Sequence, residues 1–235
     1  MNNKIIVLGD GLLAKEIVNQ TKWHYISRSK DGIDLTDIST YAGHLKNYDI
    51  IVNCIANTDT YSKDRNAMFS VNYKAVANLA DFCEVIEKKK LVHFSTDFVY
   101  ANSDQPATEE TIPIPADNWY SHYKLMADEH IQMMMSNYLI LRGSFKKNPF
   151  PYDDAFANIT GNFLYVNQFA KFSIELIKKK AQGVYNVGSK EPYNMHQFAL
   201  ITKPDVRSVI SWIDDSMPEN VVMNTNKMWN LLERK

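Results

Sequence analysis

Cysteine is scarce: Cys54 and Cys83 are the only two among 235 residues. Two thiols in a chain this long build no disulfide framework, which fits a reducing cytosol. Long hydrophobic runs are missing too. The opening stretch MNNKIIVLGDG holds one short apolar run, cut off by Gly9. That run is too short for a signal-peptide core or a membrane span, and no later stretch is long enough. A soluble, cytoplasmic protein is therefore expected. Nor is there an excess of basic charge: 26 Lys and Arg stand against 27 Asp and Glu, a net charge of −1. Nucleic acid and anionic membrane surfaces need a basic stripe, so neither is expected as a partner. The dense basic runs, Lys88–Lys90 and Lys178–Lys180, each end an expected helix. Cations suit the negative end of the macrodipole there, and both runs read as solvated helix ends. None of the six histidines stands at metal-ligand spacing with a second ligand, so no metal is expected.

What the chain does have is alternation. Apolar residues make up 45% of it, ample for a real core. Lys4 to Leu8 reads as a buried strand ended by Gly9, and Gly9-Asp10-Gly11-Leu12-Leu13-Ala14 leads into a helical pattern. A strand, a tight Gly turn and a helix start form a phosphate-binding geometry. The helix N-terminal amides point at the anion, and glycine lets the backbone come close. Gly9, Gly11, Leu12 and Leu13 are therefore candidate cofactor residues. A second short strand, Trp23 to Ser27, exits into Ser27-Arg28-Ser29. In dinucleotide folds an acid about 20 residues past the Gly turn binds the ribose hydroxyls, whereas an Arg accommodates a 2′-phosphate. Ser27, Arg28 and Ser29 offer no acid, which favours NADPH over NADH.

The third strand is Tyr48 to Ala56. Its polar exit, Asn57-Thr58-Asp59, is expected to face the cofactor at the carboxyl edge of a parallel sheet, and Cys54, Ile55, Ala56 and Asn57 are candidate cofactor residues. Cys54 itself reads as a structural thiol, since no nearby His activates it. Asp64 to Glu87 carries apolar residues at helical spacing, and Leu91 to Ser95 is a fourth strand. Strand and helix alternate throughout, which implies an α/β fold: a doubly wound parallel sheet with helices on both faces. The loop from Ala101 to Asp117 has no regular periodicity, and loops of that length are often lids or binding loops. A helix follows from about Asn118 to Met135, then a strand from Tyr138 to Arg142. Beyond Arg142 the pattern changes. Residues 1–142 are expected to form a dinucleotide-binding domain and 143–235 a small substrate lobe, with 183–187 returning to the main sheet. A strand over Val206 to Ser211 and a C-terminal helix over Thr225 to Leu232 complete the reading.

Candidate chemistry gathers between Leu91 and Arg142. Thr96 ends the fourth strand, and Tyr120 and Lys124 stand at i, i+4 on one face of the next helix. His122 lies between them but points off that face.

The ordered set VNCIANT, FSTDFVY, WYSHYKLMADE and YLILRGSF, behind the Gly turn, resembles the extended short-chain dehydrogenases. Within them it is most similar to dTDP-4-dehydrorhamnose reductases, and GVYNVGSKEPYNMHQFA and MNTNKMWNLLE resemble that subgroup's later segments. The resemblance implies a Rossmann-like fold. It also implies NADPH-dependent reduction, with NADH possible, of a keto group on a nucleotide-activated 4-keto-6-deoxy sugar. Tyr120 would protonate the carbonyl oxygen. Lys124 would hold the nicotinamide ribose and lower the tyrosine's pKa, and Thr96 would bond the same oxygen. Ala56 would line the nicotinamide, and Asp34 and Leu35 would lie by the adenine. Related sugar-nucleotide dehydratases carry Asp-Glu after the Thr. Asp97-Phe98 stands here, and Phe cannot act as acid or base, which disfavours dehydration. Two departures stand out. The Gly turn is one residue shorter than the family's G-x-x-G-x-x-G, and the stretch after Arg142 is short. They keep open a non-catalytic regulatory subunit of a partner enzyme and, as a further alternative, a sugar-nucleotide epimerase. A homodimer is compatible with the family.

Overall fold

The computed structural model describes residues 3–210 and 216–234. Its centre is a six-stranded sheet, all parallel, in the order β10-β5-β4-β3-β1-β2. The strands are β1 (Ile5–Leu8), β2 (His24–Ile26), β3 (Ile50–Asn53), β4 (Lys90–Phe94), β5 (Tyr138–Arg142) and β10 (Gly183–Asn186). Parallel neighbours need crossovers, and helices supply them: α1 (Leu12–Thr21), the short α2 (Arg28–Asp31) and α3 (Ala42–Leu45), α4 (Arg65–Phe69) running on into α5 (Ala75–Asp81), and α6 (Trp119–Met134). Helix α7 (Val166–Lys178) leads into β10.

The period of two in a strand divides the core into two layers. Val7, Val52, Val92, Leu139 and Leu141 pack on one face with Leu13 and Ile17 of α1 and Phe169, Ile174 and Ile177 of α7. Ile6, Leu8, Ile51, Leu91 and Ile140 pack on the other with Val76 and Leu79 of α5 and Ala127 and Ile131 of α6. Each fully buried aliphatic side chain of this kind contributes ~1.5–3 kcal/mol. The chain leaves β1 toward β2 on one side and returns to β3 on the other. This reversal opens a crevice at the carboxyl ends of β1 and β3, the place where such sheets bind ligands.

The chain after Arg142 is divided between two cores. Strand β10 returns to the main sheet as expected, helix α7 joins the same core, and α9 (Asn226–Glu233) packs on α7, with Met228 buried in the same layer. The remainder forms small sheets around a satellite core of Phe150, Phe163, Tyr165, Phe198 and Val221. These are β6 (Phe145–Lys146) with β9 (Leu164–Tyr165), and β7 (Asp154–Phe156) with β12 (Arg207–Val209). The third joins β8 (Thr160–Gly161), β11 (Tyr193–Asn194) and β13 (Asn220–Val221), with α8 (Met195–Leu200) alongside. The expected strand to Ser211 thus ends at Val209, and position 211 lies outside the described residues. The loop over 101–117 is anchored, not free. Tyr100 bridges Ile114, Ala107 bridges Met223, and the Glu109 carboxylate accepts the Asn186 amide at 2.9 Å.

Two expectations need correction. The helix from Asp64 to Glu87 is interrupted by π-type turns at Ser70–Lys74 and Phe82–Glu87. And the lysine run after it is not simply solvated: Lys89 and Lys90 are buried. Lys89 Nζ donates to the carbonyls of Lys46 and Tyr48, and Lys90 Nζ donates to that of Ala181. The buried ammoniums satisfy backbone acceptors where other segments end.

Candidate active site

The crevice floor begins with the Gly turn. Gly9 takes φ +103°, a region that favours glycine, and a Cβ there would lie 3.6 Å from the Cys54 carbonyl. Gly11 precedes α1 in extended backbone, and no side chain caps the first turn of the helix. The opening amides are left for an anion, which fits a dinucleotide's pyrophosphate. Leu12 is exposed and Leu13 packs into the core.

The stretch after β2 is only partly available. Ser27 is fully buried, and its hydroxyl caps α2 by accepting the Lys30 amide. Ser29 donates its hydroxyl to Asp10, so the Gly turn supplies the acid that this stretch lacks. That bond holds the Asp10 carboxyl below the ordinary aspartate range. Arg28 remains exposed, 3.9 Å from Asp34. Asp34 folds back on Thr36, while Leu35 is buried in the core.

At the end of β3, Cys54 and Ile55 are half-buried and Ala56 is exposed. Burial pushes the Cys54 thiol well up, while the Lys124 charge opposes it, consistent with an inert thiol. Asn57 is held by Asn72. Its amide donates to Asn72 Oδ1 at 2.8 Å, and Asn72 Nδ2 donates to its carbonyl at 2.9 Å.

Above β4, Thr96 and Tyr120 come together, with Lys124 one turn further along α6. Thr96 is buried, and its Oγ1 accepts the Phe98 amide at 3.2 Å. Its hydroxyl donates to Asp97 Oδ1 at 3.3 Å and lies near enough to the Tyr120 phenol to lower it. Tyr120 enters on the first turn of α6, whose cap is Asn118 accepting the Ser121 amide at 2.8 Å. Burial pushes the phenol up to about 12; the Thr96 hydroxyl lowers it, and the charges of Asp97 and Asp128 raise it. Beside them Asp97 is buried, accepts Ser144 Oγ at 2.7 Å, and is raised by burial. Lys146 lies near it, and burial lowers its ammonium.

Lys124 lies one turn beyond Tyr120 and is fully buried. Burial brings its ammonium down to about 8, with Asp128 and then Cys54 opposing. The lysine does not dominate the tyrosine as expected. Its Nζ turns to the sheet, donating to the Phe94 carbonyl at 2.5 Å and lying 3.0 Å from His93 Nε2. Beneath lies a buried polar network that the motif reading missed. Asp128 Oδ2 accepts Ser95 Oγ at 2.8 Å and Arg142 Nε at 2.9 Å, and Arg142 Nη1 donates to Tyr100 at 2.5 Å. The legible signal was a polar residue inside an apolar run: His93 in LVHF and Asn53 in IIVN.

A Gly turn on the first strand of a parallel sheet, with Thr96 after the fourth and Tyr120 and Lys124 on the helix that follows, is the extended short-chain dehydrogenase/reductase architecture. The chain belongs to the RmlD substrate binding domain family, whose model matches residues 3–146. Over 141 residues it is 26% identical to a dTDP-4-dehydrorhamnose reductase of Mycolicibacterium smegmatis, a match covering 56% of this chain and 42% of that one. The match thus spans under half the length of this curated relative. Two solved structures share the fold. One is a dTDP-4-dehydrorhamnose reductase of Bacillus anthracis in complex with NADP, with TM-score 0.82 and 21% identity over 98% of this chain and 92% of that one. The other is a hypothetical dTDP-4-dehydrorhamnose reductase of Sulfolobus tokodaii, with TM-score 0.83 and 22% identity over 99% and 96%. Among the described residues no helix is long and apolar enough to cross a membrane.

Proposed function

We propose that this chain reduces the keto group of a nucleotide-activated 4-keto-6-deoxy sugar, using NADPH, with NADH as the weaker alternative. The observation that carries the reading is the Thr96–Tyr120 contact with Lys124 one turn away, beside the open amides of the Gly turn. Gly11, Leu12 and Leu13 at the start of α1 hold the pyrophosphate, Cys54 to Asn57 line the nicotinamide side, and Arg28 faces a 2′-phosphate. Asp10 beside Ser29 is the feature that leaves room for NADH. When bound, the nicotinamide supplies a hydride to the carbonyl carbon.

Tyr120 gives its proton to the carbonyl oxygen as the C=O π pair moves there, and solvent later restores the phenol. Thr96 donates to the same oxygen and fixes its position. Lys124 in its charged form holds the ribose. A phenol pushed up to about 12 stays protonated at neutral pH, so the acid is loaded before substrate arrives. Turnover should then fall on the alkaline side, near pH 8, as Lys124 loses its charge.

The test is NADPH consumption with a panel of keto-sugar nucleotides. Wild type should turn over at least one. Tyr120→Phe should lose ~10²–10⁴-fold in kcat while still binding NADPH. Wild type and variant equally inert across the panel would overturn the reading.

A further inference from the structure

His93 stands one residue from the end of β4, fully buried, where an aliphatic residue would pack without a polar cost. Its surroundings account for it. Nε2 lies 3.0 Å from Lys124 Nζ on α6, and Nδ1 lies 3.3 Å from Asn53 Nδ2 on β3. Asp128, also on α6, brings Oδ1 to 3.9 Å of Nε2, and that oxygen has no hydrogen-bond partner among the described residues. Cys54 at the exit of β3 and the Phe94 carbonyl on β4 complete the shell around the lysine. Arg142 on β5 reaches it only through Asp128.

We propose that His93 is a positioning residue for Lys124, holding Nζ at the junction of β3, β4 and α6, and that its tautomer follows the charge on the lysine. The reason is the count of donors and acceptors. A neutral imidazole has one donor nitrogen and one acceptor. Asn53 Oδ1 already accepts the Ile55 amide at 3.1 Å, so the Asn53 amide turns its NH₂ to the ring. The ring therefore faces a donor on Nδ1 and an ammonium on Nε2, and it can accept from only one. With Lys124 charged, Nε2 accepts from Nζ, and the proton sits on Nδ1 against the longer Asn53 contact. With Lys124 neutral, Nε2–H donates to the amine lone pair and Nδ1 accepts from Asn53. Passing from the first arrangement to the second releases one proton to solvent. In both, Nζ keeps an N–H for the Phe94 carbonyl, so the lysine stays in place while its charge changes.

This inference rests on the reading that Lys124 serves a cofactor ribose, but its first test does not. ¹⁵N-histidine NMR of the ligand-free wild type should show a neutral His93 between pH 6 and 9. Its bare nitrogen should be Nε2 at neutral pH and Nδ1 above the lysine's titration. An imidazole that titrates near the ordinary histidine value, or one tautomer throughout, overturns the proposal.

The second test uses variants. His93→Leu removes the acceptor that favours the charged lysine. It should weaken NADPH binding and move the alkaline limb of kcat down by about one pH unit. His93→Gln places an amide oxygen where Nε2 was and should restore both. A Leu variant that lowers only the melting temperature, with affinity and limb unmoved, reduces His93 to filling and overturns the proposal. Should Leu fail to fold, Gln is judged alone, and failure to keep the wild-type limb counts against it. If no keto sugar is turned over while the tautomer still switches, the proposed reaction fails and the lysine–histidine coupling stands.

Discussion

At the scale of single residues, His93 makes the fold sensitive to acid. Burial and the nearby Lys124 charge push it well below the usual histidine range. Between about pH 6.5 and that folded-state value the unfolded chain binds a proton the folded one does not. Stability present above that window is therefore lost as pH falls through it, by up to ~1.4 kcal/mol per pH unit. Asp97 acts in the opposite sense, because burial raises its carboxyl and the folded chain takes up that proton first on acidification. Comparing urea midpoints of wild type and His93→Gln from pH 7 to pH 5 separates the two. The variant should show the shallower loss, and parallel slopes would clear His93 of the effect. Asp128 carries a different cost. Asp128→Leu leaves the Arg142 guanidinium buried with no carboxylate, and should destabilise by ~3–5 kcal/mol in urea unfolding, against a smaller loss for Asp128→Asn. Sequence reading treats these residues unequally. A histidine inside LVHF is visible as an anomaly, whereas an acid on a helix is ordinary, so nothing local marks Asp128 as the hub of a buried network.

At the scale of elements, the long helix after β3 shows why a pattern can be right in type and wrong in detail. Apolar spacing places a helix over 64–87, and the π-type turn at Ser70–Lys74 carries the buried Asn72 that grips Asn57. An insertion of that kind leaves no mark in hydrophobic period, because both flanks still face the core. It matters because the grip fixes the loop leaving β3, on the nicotinamide side of the proposed site. Asn72→Ala should raise the Kd for NADPH several-fold and cost ~1–3 kcal/mol, since it strands the Asn57 amide and carbonyl. Fluorescence titration of NADPH together with thermal unfolding checks both; unchanged affinity in a destabilised variant would confine Asn72 to the scaffold. The Ser27-Arg28-Ser29 stretch teaches the converse. The residue types were legible, but whether each hydroxyl meets a ligand or caps a helix depends on Asp10, which is distant in sequence.

At the scale of the whole molecule, the change of pattern after Arg142 leaves α7 and β10 in the main core while residues around Phe163 and Phe198 build a satellite one. Sequence shows where alternation stops, and GVYNV at 183–187 reads as a strand that comes back; it does not show that α7 joins the same core. Strand β10 pairs along all of Gly183–Asn186 with β5, and α7 lays Phe169, Ile174 and Ile177 on the layer that α1 also covers. The join is tight: a Cβ on Gly143 would stand 2.2 Å from the Val187 carbonyl and 2.9 Å from the Phe169 ring. Residues 1–142 alone would expose that layer and leave β5 as a bare edge, losing several side chains worth ~1.5–3 kcal/mol each against a net stability of ~5–15 kcal/mol for a whole domain. The fragment should therefore show no cooperative unfolding, while the full chain gives one transition by circular dichroism and by tryptophan fluorescence alike. Gly143→Ala in the full chain should lower that single midpoint without splitting it, because backbone meets backbone at the seam and neither side can yield alone. A fragment that melts cooperatively, or a variant whose two probes part company, would show that nucleotide fold and C-terminal segment are separate units after all.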